Sequence, residues 1–254
     1  MGLCRDMIIS QQNKYLFIEI PHTGSTAIKH ELCNHYQGVS ILKKHSFYSD
    51  FLKIAGPEEK NYFVFAGIRN PLDEAVSHYF KFKTNHRGMF TRPDKRTKVG
   101  FLQDRRARMM YSDIQNKYLD FQAFFMKYYK VPYTNFASLI TGHYDYLLRF
   151  ERLQEDFARV LRILGLEPIR SLPVRNPTEG RKADFSSYYP PSLIPRAKRV
   201  FGPFMRQWGY EFPAEWGEAN ITWFNQFEFQ FFTFLRKVKW KYFRSVYYDP
   251  QRRP

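Results

Sequence analysis

A loop near the N-terminus has the residue types of an anion-binding site. Residues 21–27 read Pro-His-Thr-Gly-Ser-Thr-Ala and follow the apolar run 16–20. A strand that leads through a glycine-containing loop into a helix points backbone N–H groups and the positive end of the helix dipole at one spot. Ser25 and Thr26 would add hydroxyl donors. Because one glycine is a weak signal, an ordinary strand-to-helix turn with a capping serine is the alternative.

A second set of anion-binding residue types follows the strongest strand candidate, residues 62–68. That run is apolar on both alternating faces, as expected for a central parallel strand covered on both sides. It leads into Arg69 and then a helix that contains Ser77, and Pro71 suits the first turn of that helix. Arg69 and Ser77 could hold one anion from two sides. Alternatively, Arg69 pairs with Asp73, and Ser77 is a small packing residue.

His45 is the candidate acid–base residue. It follows the short β-like run 39–42, and open α/β sheets place reacting groups at the carboxyl ends of strands. The unperturbed pKa of histidine suits proton abstraction near neutral pH. On the residues alone, a surface histidine after Lys43 and Lys44 is the simpler interpretation.

Composition limits the class of protein and of partner. The 254 residues suffice for one domain, or one domain with a small appendage. The 40 Lys and Arg against 24 Asp and Glu give a net charge of +16. This excess indicates an acidic partner, such as a phosphate-bearing cofactor, a polyanionic substrate, nucleic acid or an anionic membrane.

The number of cysteines and the length of the apolar runs indicate in which cellular compartment the protein is expected. Cys4 and Cys33 are too few for a disulfide framework or a zinc site, which favours a reducing compartment and no metal. No apolar run reaches the roughly 18 residues that span a bilayer, and the first residues lack the apolar region of a signal peptide. We therefore expect a cytoplasmic protein, peripheral to a membrane if it contacts one.

The two anion-binding sets, in this order, resemble the sulfotransferases that use 3′-phosphoadenosine 5′-phosphosulfate (PAPS). The shared pattern is strand-Pro-x-x-Gly-Ser-Thr-helix and, about 45 residues later, strand-Arg-Asn-Pro-x-Asp-x-x-x-Ser-x-Tyr. In that family the first loop binds the 5′-phosphosulfate, and the Arg and Ser of the second motif bind the 3′-phosphate. The resemblance implies that Arg69 and Ser77 hold the 3′-phosphate. For the 5′ end it implies a run of loop and helix residues: His22, Thr23, Gly24, Ser25, Thr26 and Ala27.

The resemblance continues to about residue 212. Residues 145–166 look like the family's later strand and helix and are closest to the carbohydrate-type branch, sulfotransferase family 2. Residues 176–193 resemble the basic loop that closes over the donor's phosphates, which implies that Arg181 and Lys182 bind there. Residues 193–210 match the family's last helix. Glu151 is interpreted as a capping or bracing residue.

The catalytic residues implied by the resemblance are His45 and His22. Many family members carry a general base after the second strand, where His45 stands. The family loop usually reads Pro-Lys-x-Gly, and its lysine neutralises charge on the bridging oxygen. His22 occupies that position here, and it could donate to the leaving phosphate only when protonated.

The predicted fold is a P-loop-like α/β domain, residues 1–213, with a central parallel sheet flanked by helices. Helices are expected at 27–36, 47–54, 120–129 and 153–164, with Gly165 closing the last, and 146–150 is read as a buried strand. A basic insertion at about 85–112 shows no apolar periodicity and is expected to be a mobile loop.

Residues 214–254 form an aromatic and basic extension. Within 221–248, Phe224, Phe227, Phe231, Leu235 and Val238 fit a helical stripe, although neighbouring phenylalanines also alternate as in a strand. Three roles stay open for it: packing on the domain, a homodimer interface, or contact with a membrane surface.

The function predicted from all of this is transfer of the PAPS sulfuryl group to an acceptor hydroxyl by in-line displacement with a histidine base. A carbohydrate or glycoconjugate, such as an anionic glycan or a glycolipid, is the favoured acceptor. One alternative is a non-catalytic polyanion- or RNA-binding protein on the same scaffold. A P-loop kinase is the other, and against it the loop lacks the Gly-Lys-[Ser/Thr] ending that grips nucleotide phosphates.

Overall fold

A computed structural model of the chain describes residues 7–42, 46–91, 101–140, 143–173, 177–182 and 184–247. It divides into two compact units. Unit 1 comprises Met1–Asn70 and Asn135–Pro177, and unit 2 comprises Pro71–Thr134 and Thr178–Pro254. The boundary expected at residue 213 stays a prediction.

Unit 1 is built on a five-stranded sheet. Its strands run in the order β3-β1-β2-β4-β5. They are β1 (Met7–Ser10), β2 (Tyr15–Ile18), β3 (Val39–Ile41), β4 (Phe63–Ile68) and β5 (Tyr146–Arg149). β2, β4 and β5 are parallel, whereas β1 is antiparallel to both β2 and β3. The α/β class is confirmed, but the sheet is mixed and not parallel, because the chain enters it through a β1–β2 hairpin.

Apolar residues on the sheet and its helices form the core of unit 1. Phe17 and Phe65 are fully buried on the central strands, with ring centroids 5.2 Å apart. The helices of this unit are α1 (Ser25–His35), α2 (Tyr48–Phe51) and α6 (Leu153–Ile163). Gly165 follows α6 in a left-handed conformation, and the amide of Leu166 bonds back to the Leu161 carbonyl, as the C-cap prediction requires.

One expectation for unit 1 needs correction. β5 was expected to be a buried strand, yet only Leu148 is buried, because β5 lies at the edge of the sheet. The cytoplasmic location stays a prediction.

Unit 2 is helical. Its helices are α3 (Pro71–Lys83), α4 (Phe101–Asn116), α5 (Phe121–Tyr128), α7 (Ile194–Trp208) and α8 (Trp223–Tyr247). Their core is aromatic, and Tyr79, Phe124 and Phe201 are among its buried members. α7 ends at Gly209, which takes the left-handed conformation that terminates many helices.

The basic insertion is helical over much of its length. Residues 92–100 lie outside the described part, but α4 covers 101–116, so the prediction of a loop is wrong there. Asp113 and Ile114 are buried on this helix. Hydrogen bonds from Lys117, Lys127 and Tyr128 hold the pKa of the Asp113 carboxyl well below its usual range. Because α4 is held in part by hydrogen bonds to the buried Asp113 carboxylate, its sequence shows little of the apolar periodicity by which helices are usually predicted.

Within the described part of the aromatic extension, Trp223–Tyr247 form one long helix, α8. Phe229 and Trp240 are buried on it, and Arg236 donates from Nη2 to the Thr134 carbonyl oxygen at 2.7 Å. α8 thus packs within unit 2 along one face. Among the described helices, this one included, we find none with both the length and the apolar character to cross a bilayer.

Candidate functional site

The N-terminal loop has the geometry of an anion cradle. His22 and Gly24 adopt positive φ angles of 70° and 75°, and α1 begins directly afterwards at Ser25. The amide of Ala27 bonds to the Gly24 carbonyl at 2.9 Å, which closes the first helical turn. Amides at the start of a helix have no intrahelical acceptor, and the helix dipole is positive there. The loop therefore offers backbone donors to an anion.

Two loop hydroxyls brace the loop. Thr23 is fully buried, and its Oγ1 donates to the Ile20 carbonyl oxygen at 2.8 Å. Ser25 is also buried, and its Oγ lies 3.3 Å from a Glu19 carboxylate oxygen, to which it donates. Lys29 approaches the other oxygen of Glu19 at 3.2 Å. Both hydroxyls thus bond to residues 19 and 20, which follow β2, so any anion contact of Thr23 and Ser25 would come from their amides.

Arg69 supports the same loop from the end of β4. It is 5% exposed, and its Nη1 donates to the His22 carbonyl oxygen at 3.2 Å. Its guanidinium carbon lies 4.1 Å from the centroid of the Phe150 ring. The amide of Asn70 donates to Glu151 at 2.7 Å, which is the bracing role expected of that carboxylate. Arg69 therefore fixes the backbone of the loop, whatever else it binds.

Gly67 shows how closely β4 approaches this loop. A Cβ added to Gly67 would lie 2.5 Å from Thr23 Oγ1 and 2.9 Å from Thr23 Cβ. Contacts under 3 Å force the neighbouring group to move. We expect Gly67→Ala to displace Thr23 and to destabilise the protein by about 1–3 kcal/mol, the usual cost of overpacking a core.

The Gly67→Ala prediction is checked by urea unfolding beside Gly56→Ala. A Cβ on Gly56 would meet nothing nearer than a Glu59 carboxylate oxygen at 3.8 Å. We expect Gly56→Ala to change the free energy of unfolding by less than about 0.5 kcal/mol, as most surface substitutions do. Equal stability of the two variants would show that the Gly67–Thr23 approach does not constrain the loop.

A second group of the predicted anion-binding residues lies in unit 2. Nη1 of Arg181 donates to the hydroxyl of Ser77, 104 residues away in sequence. Nη2 of the same guanidinium pairs with the Asp73 carboxylate. Ser77 is fully buried, and Asp73 is 5% exposed. Ser77 therefore belongs to a polar cluster with Arg181, and Asp73 has Arg181 as its partner.

Tyrosines hold the loop that carries Arg181 against α3. The amide of Lys182 donates to the Tyr188 hydroxyl at 2.7 Å, while the Lys182 side chain is exposed. The Tyr189 hydroxyl donates to the Leu72 carbonyl oxygen at 2.9 Å. Burial raises the pKa of Tyr189 well above its ordinary value, so this hydroxyl keeps its proton at neutral pH.

Comparison with known protein families shows to which family the chain belongs. The profile described as the sulfotransferase family matches residues 5–201, more than half of the chain. The chain belongs to the sulfotransferase family. The matching profile is that of family 2, as the motifs indicated. No curated protein and no solved structure matches the sequence.

The structure describes two groups among the predicted site residues of this sulfotransferase. The loop residues 22–27 and Arg69 lie together in unit 1, and Ser77 and Arg181 are in contact in unit 2. Lys182 follows Arg181 but directs its side chain to solvent. His45 lies outside the described residues, together with Lys43, Lys44 and Asn176.

Sequence reasoning missed two residues of the sulfotransferase loop, Glu19 and Lys29. Glu19 is a charged residue inside an otherwise apolar run, and Lys29 stands four residues after Ser25 on the same face of α1. Both are buried. A charge within an apolar run and a helical spacing of four are signals that could have predicted this cluster.

Proposed function

We propose that this sulfotransferase uses PAPS as its donor and sulfates a hydroxyl of a carbohydrate or glycoconjugate. The observation that carries the donor assignment is the contact between Ser77 and Arg181. The family pattern assigns Ser77 to the 3′-phosphate and places Arg181 in the loop that closes over the donor's phosphates, although 104 positions separate the two residues. The net charge of +16 supports an anionic donor and an acidic acceptor such as an anionic glycan.

The chemistry of the donor groups fits PAPS. In unit 1, the start of α1 supplies amide donors and a positive dipole, which suit the 5′-phosphosulfate. In unit 2, the Ser77 hydroxyl and the Arg181 guanidinium are donors of the kind that bind a phosphate. When bound, PAPS supplies an activated sulfuryl group and a nucleotide bisphosphate leaving group.

The chain's own contribution to the reaction is positioning, charge and one proton transfer. The α1 amides, Ser77 and Arg181 would hold the donor in place, and alignment of this kind is a large part of catalysis in related phosphoryl transfers. His45 would accept the proton of the acceptor hydroxyl. His22 is exposed and would place a donor near the leaving oxygen when its imidazole is protonated.

The His22→Lys variant tests the role of His22. A lysine at this position stays protonated up to about pH 10, whereas a histidine loses its proton near pH 6.5. We therefore expect the alkaline limb of the pH–rate profile to extend to higher pH in His22→Lys. A profile measured from pH 5 to 10 that matches the wild type would make His22 a bystander.

The donor and the activity can be tested in one series of measurements. Stabilisation by 3′-phosphoadenosine 5′-phosphate in a thermal-shift assay, with none from ATP–Mg²⁺, supports the donor and excludes a kinase. Transfer of ³⁵S from PAPS is then measured over a panel of glycans, glycolipids and phenols. Salt-sensitive binding to RNA without stabilisation by the bisphosphate would instead support a polyanion-binding protein.

A further inference from the structure

The strongest feature outside the donor site is the exposed face of α8. The helix packs through Asn225, Phe229, Thr233 and Trp240, all of which are buried. These positions recur at spacings of four and seven, so they lie on one side of the helix. The packing face contains only two of the many aromatic residues on α8.

The opposite side of α8 is aromatic and exposed. Trp223 is 79% exposed, and Phe227 and Phe234 are each 60% exposed. At 3.6 residues per turn, the exposed apolar side chains occupy roughly a third of the helix circumference, centred opposite Phe229. We call this set the α8 stripe: Trp223, Phe224, Phe227, Phe231, Phe234, Leu235 and Tyr242. The helical stripe expected from the sequence is therefore largely exposed, and a different set of residues packs.

The exposed apolar area of the α8 stripe is larger than the largest apolar patch on most monomers. Its seven large side chains are about half exposed, and an aromatic side chain offers about 150–250 Å² on full burial, so the stripe presents on the order of 700 Å². The largest apolar patch on an ordinary monomer is about 300–600 Å² and is often functional. A contiguous patch of this size marks an interaction surface.

The positive charge beside the α8 stripe indicates that its partner surface is anionic. Lys237 and Lys241 are exposed on α8 and lie beside the stripe on the helix. The whole chain carries a net charge of +16. We propose that the α8 stripe docks on the surface of an anionic lipid bilayer, with its aromatic side chains at the interface and its lysines against the headgroups.

The residue types favour a bilayer over a second copy of the chain. Tryptophan and tyrosine are enriched at membrane–water interfaces, and helices with aromatic and basic residues lie in the plane of that interface. A second copy would bring another charge of +16 against the first, and like charges oppose association. An anionic bilayer instead supplies negative charge that complements Lys237 and Lys241.

Vesicle sedimentation with the full chain tests the apolar part of the proposal. We expect binding to vesicles of mixed phosphatidylcholine and phosphatidylserine, because the negative surface potential of an anionic leaflet attracts basic side chains near it. The triple variant Phe227→Ser, Phe231→Ser, Phe234→Ser should bind at least about tenfold more weakly, because the apolar area drives insertion. The matched control carries Ile54→Ser, Val131→Ser and Ile169→Ser, three exposed apolar residues elsewhere, and should bind like the wild type.

The charge part is tested with Lys237→Gln, Lys241→Gln. This double variant should bind the anionic vesicles about 30-fold more weakly, since each lysine near the surface contributes about 1 kcal/mol, and rising salt should also weaken binding of the wild type. Unchanged thermal unfolding and stabilisation by the bisphosphate nucleotide confirm that each variant is folded.

Three results would overturn the proposal. One is equal binding of the wild type to phosphatidylcholine alone and to anionic vesicles, and another is unchanged binding of the triple phenylalanine variant. The third is a wild type that ignores vesicles but sediments as a dimer that the triple variant dissociates, since the stripe would then contact a second copy.

Discussion

His45→Ala is expected to lower the turnover number by about 100- to 10,000-fold, the range over which a positioned general base contributes. The acceptor hydroxyl must lose its proton as it attacks sulfur, and water replaces His45 poorly in that role. Binding of 3′-phosphoadenosine 5′-phosphate should stay within about twofold of the wild type, because His45 is not assigned to any phosphate. Steady-state ³⁵S transfer and nucleotide titration measure the two quantities on the same preparation.

Two further measurements decide whether His45 acts as a base or only supports the structure: rescue of His45→Ala by added imidazole, and the activity of a second histidine variant. Added imidazole should restore part of the activity of His45→Ala if the missing group is a base. His35→Ala is the matched control, because His35 is partly exposed on α1, where it lies 3.8 Å from Glu31. We expect this control to keep its activity. Turnover of His45→Ala near the wild-type value would remove His45 from the reaction.

The sequence predicts best the elements whose burial is visible within one segment. β4 is apolar on both faces, and α6 has apolar residues at helical spacing, so each reveals itself locally. β1 has only four residues, and its burial comes from pairing with β2 and β3. α4 is anchored by the ion pair of Asp113 with Lys127 on α5. Contacts of this kind depend on other segments, which a pattern within one segment does not record.

The same contrast, between what one segment of sequence reveals and what depends on its neighbours in the fold, holds for the candidate site. The family resemblance assigns Ser77 to the 3′-phosphate and Arg181 to the loop that closes over the donor's phosphates, and the structure puts the two in hydrogen-bond contact. The resemblance does not give the direction of each hydroxyl. Thr23 and Ser25 have the residue types of anion ligands, yet their hydroxyls donate to Ile20 and Glu19. Residue type limits what a side chain can bind, while its neighbours decide what it does bind.

Arg181→Gln is expected to weaken binding of 3′-phosphoadenosine 5′-phosphate by about 10- to 150-fold, because a charge-assisted bond to a phosphate contributes about 1.5–3 kcal/mol. Arg181 is restrained by Ser77 and Asp73, so its guanidinium is already positioned for a ligand. Adenosine 5′-phosphate lacks the 3′-phosphate, and its affinity should change less than about twofold. Isothermal titration of both nucleotides therefore isolates the 3′-phosphate contact from any loss of folding.

Lys182→Gln is the neighbouring control for that experiment. Its side chain is exposed, whereas that of Arg181 is held in the cluster, so removing the Lys182 charge should cost less than about fivefold, as expected for a solvent-screened charge. Arg181→Lys should fall between the two, since a lysine keeps the charge but loses the planar fork. Equal losses for both nucleotides in Arg181→Gln would mean that Arg181 supports the fold of unit 2 and does not read the 3′-phosphate. A selective loss for the bisphosphate would establish the distinction on which PAPS recognition depends.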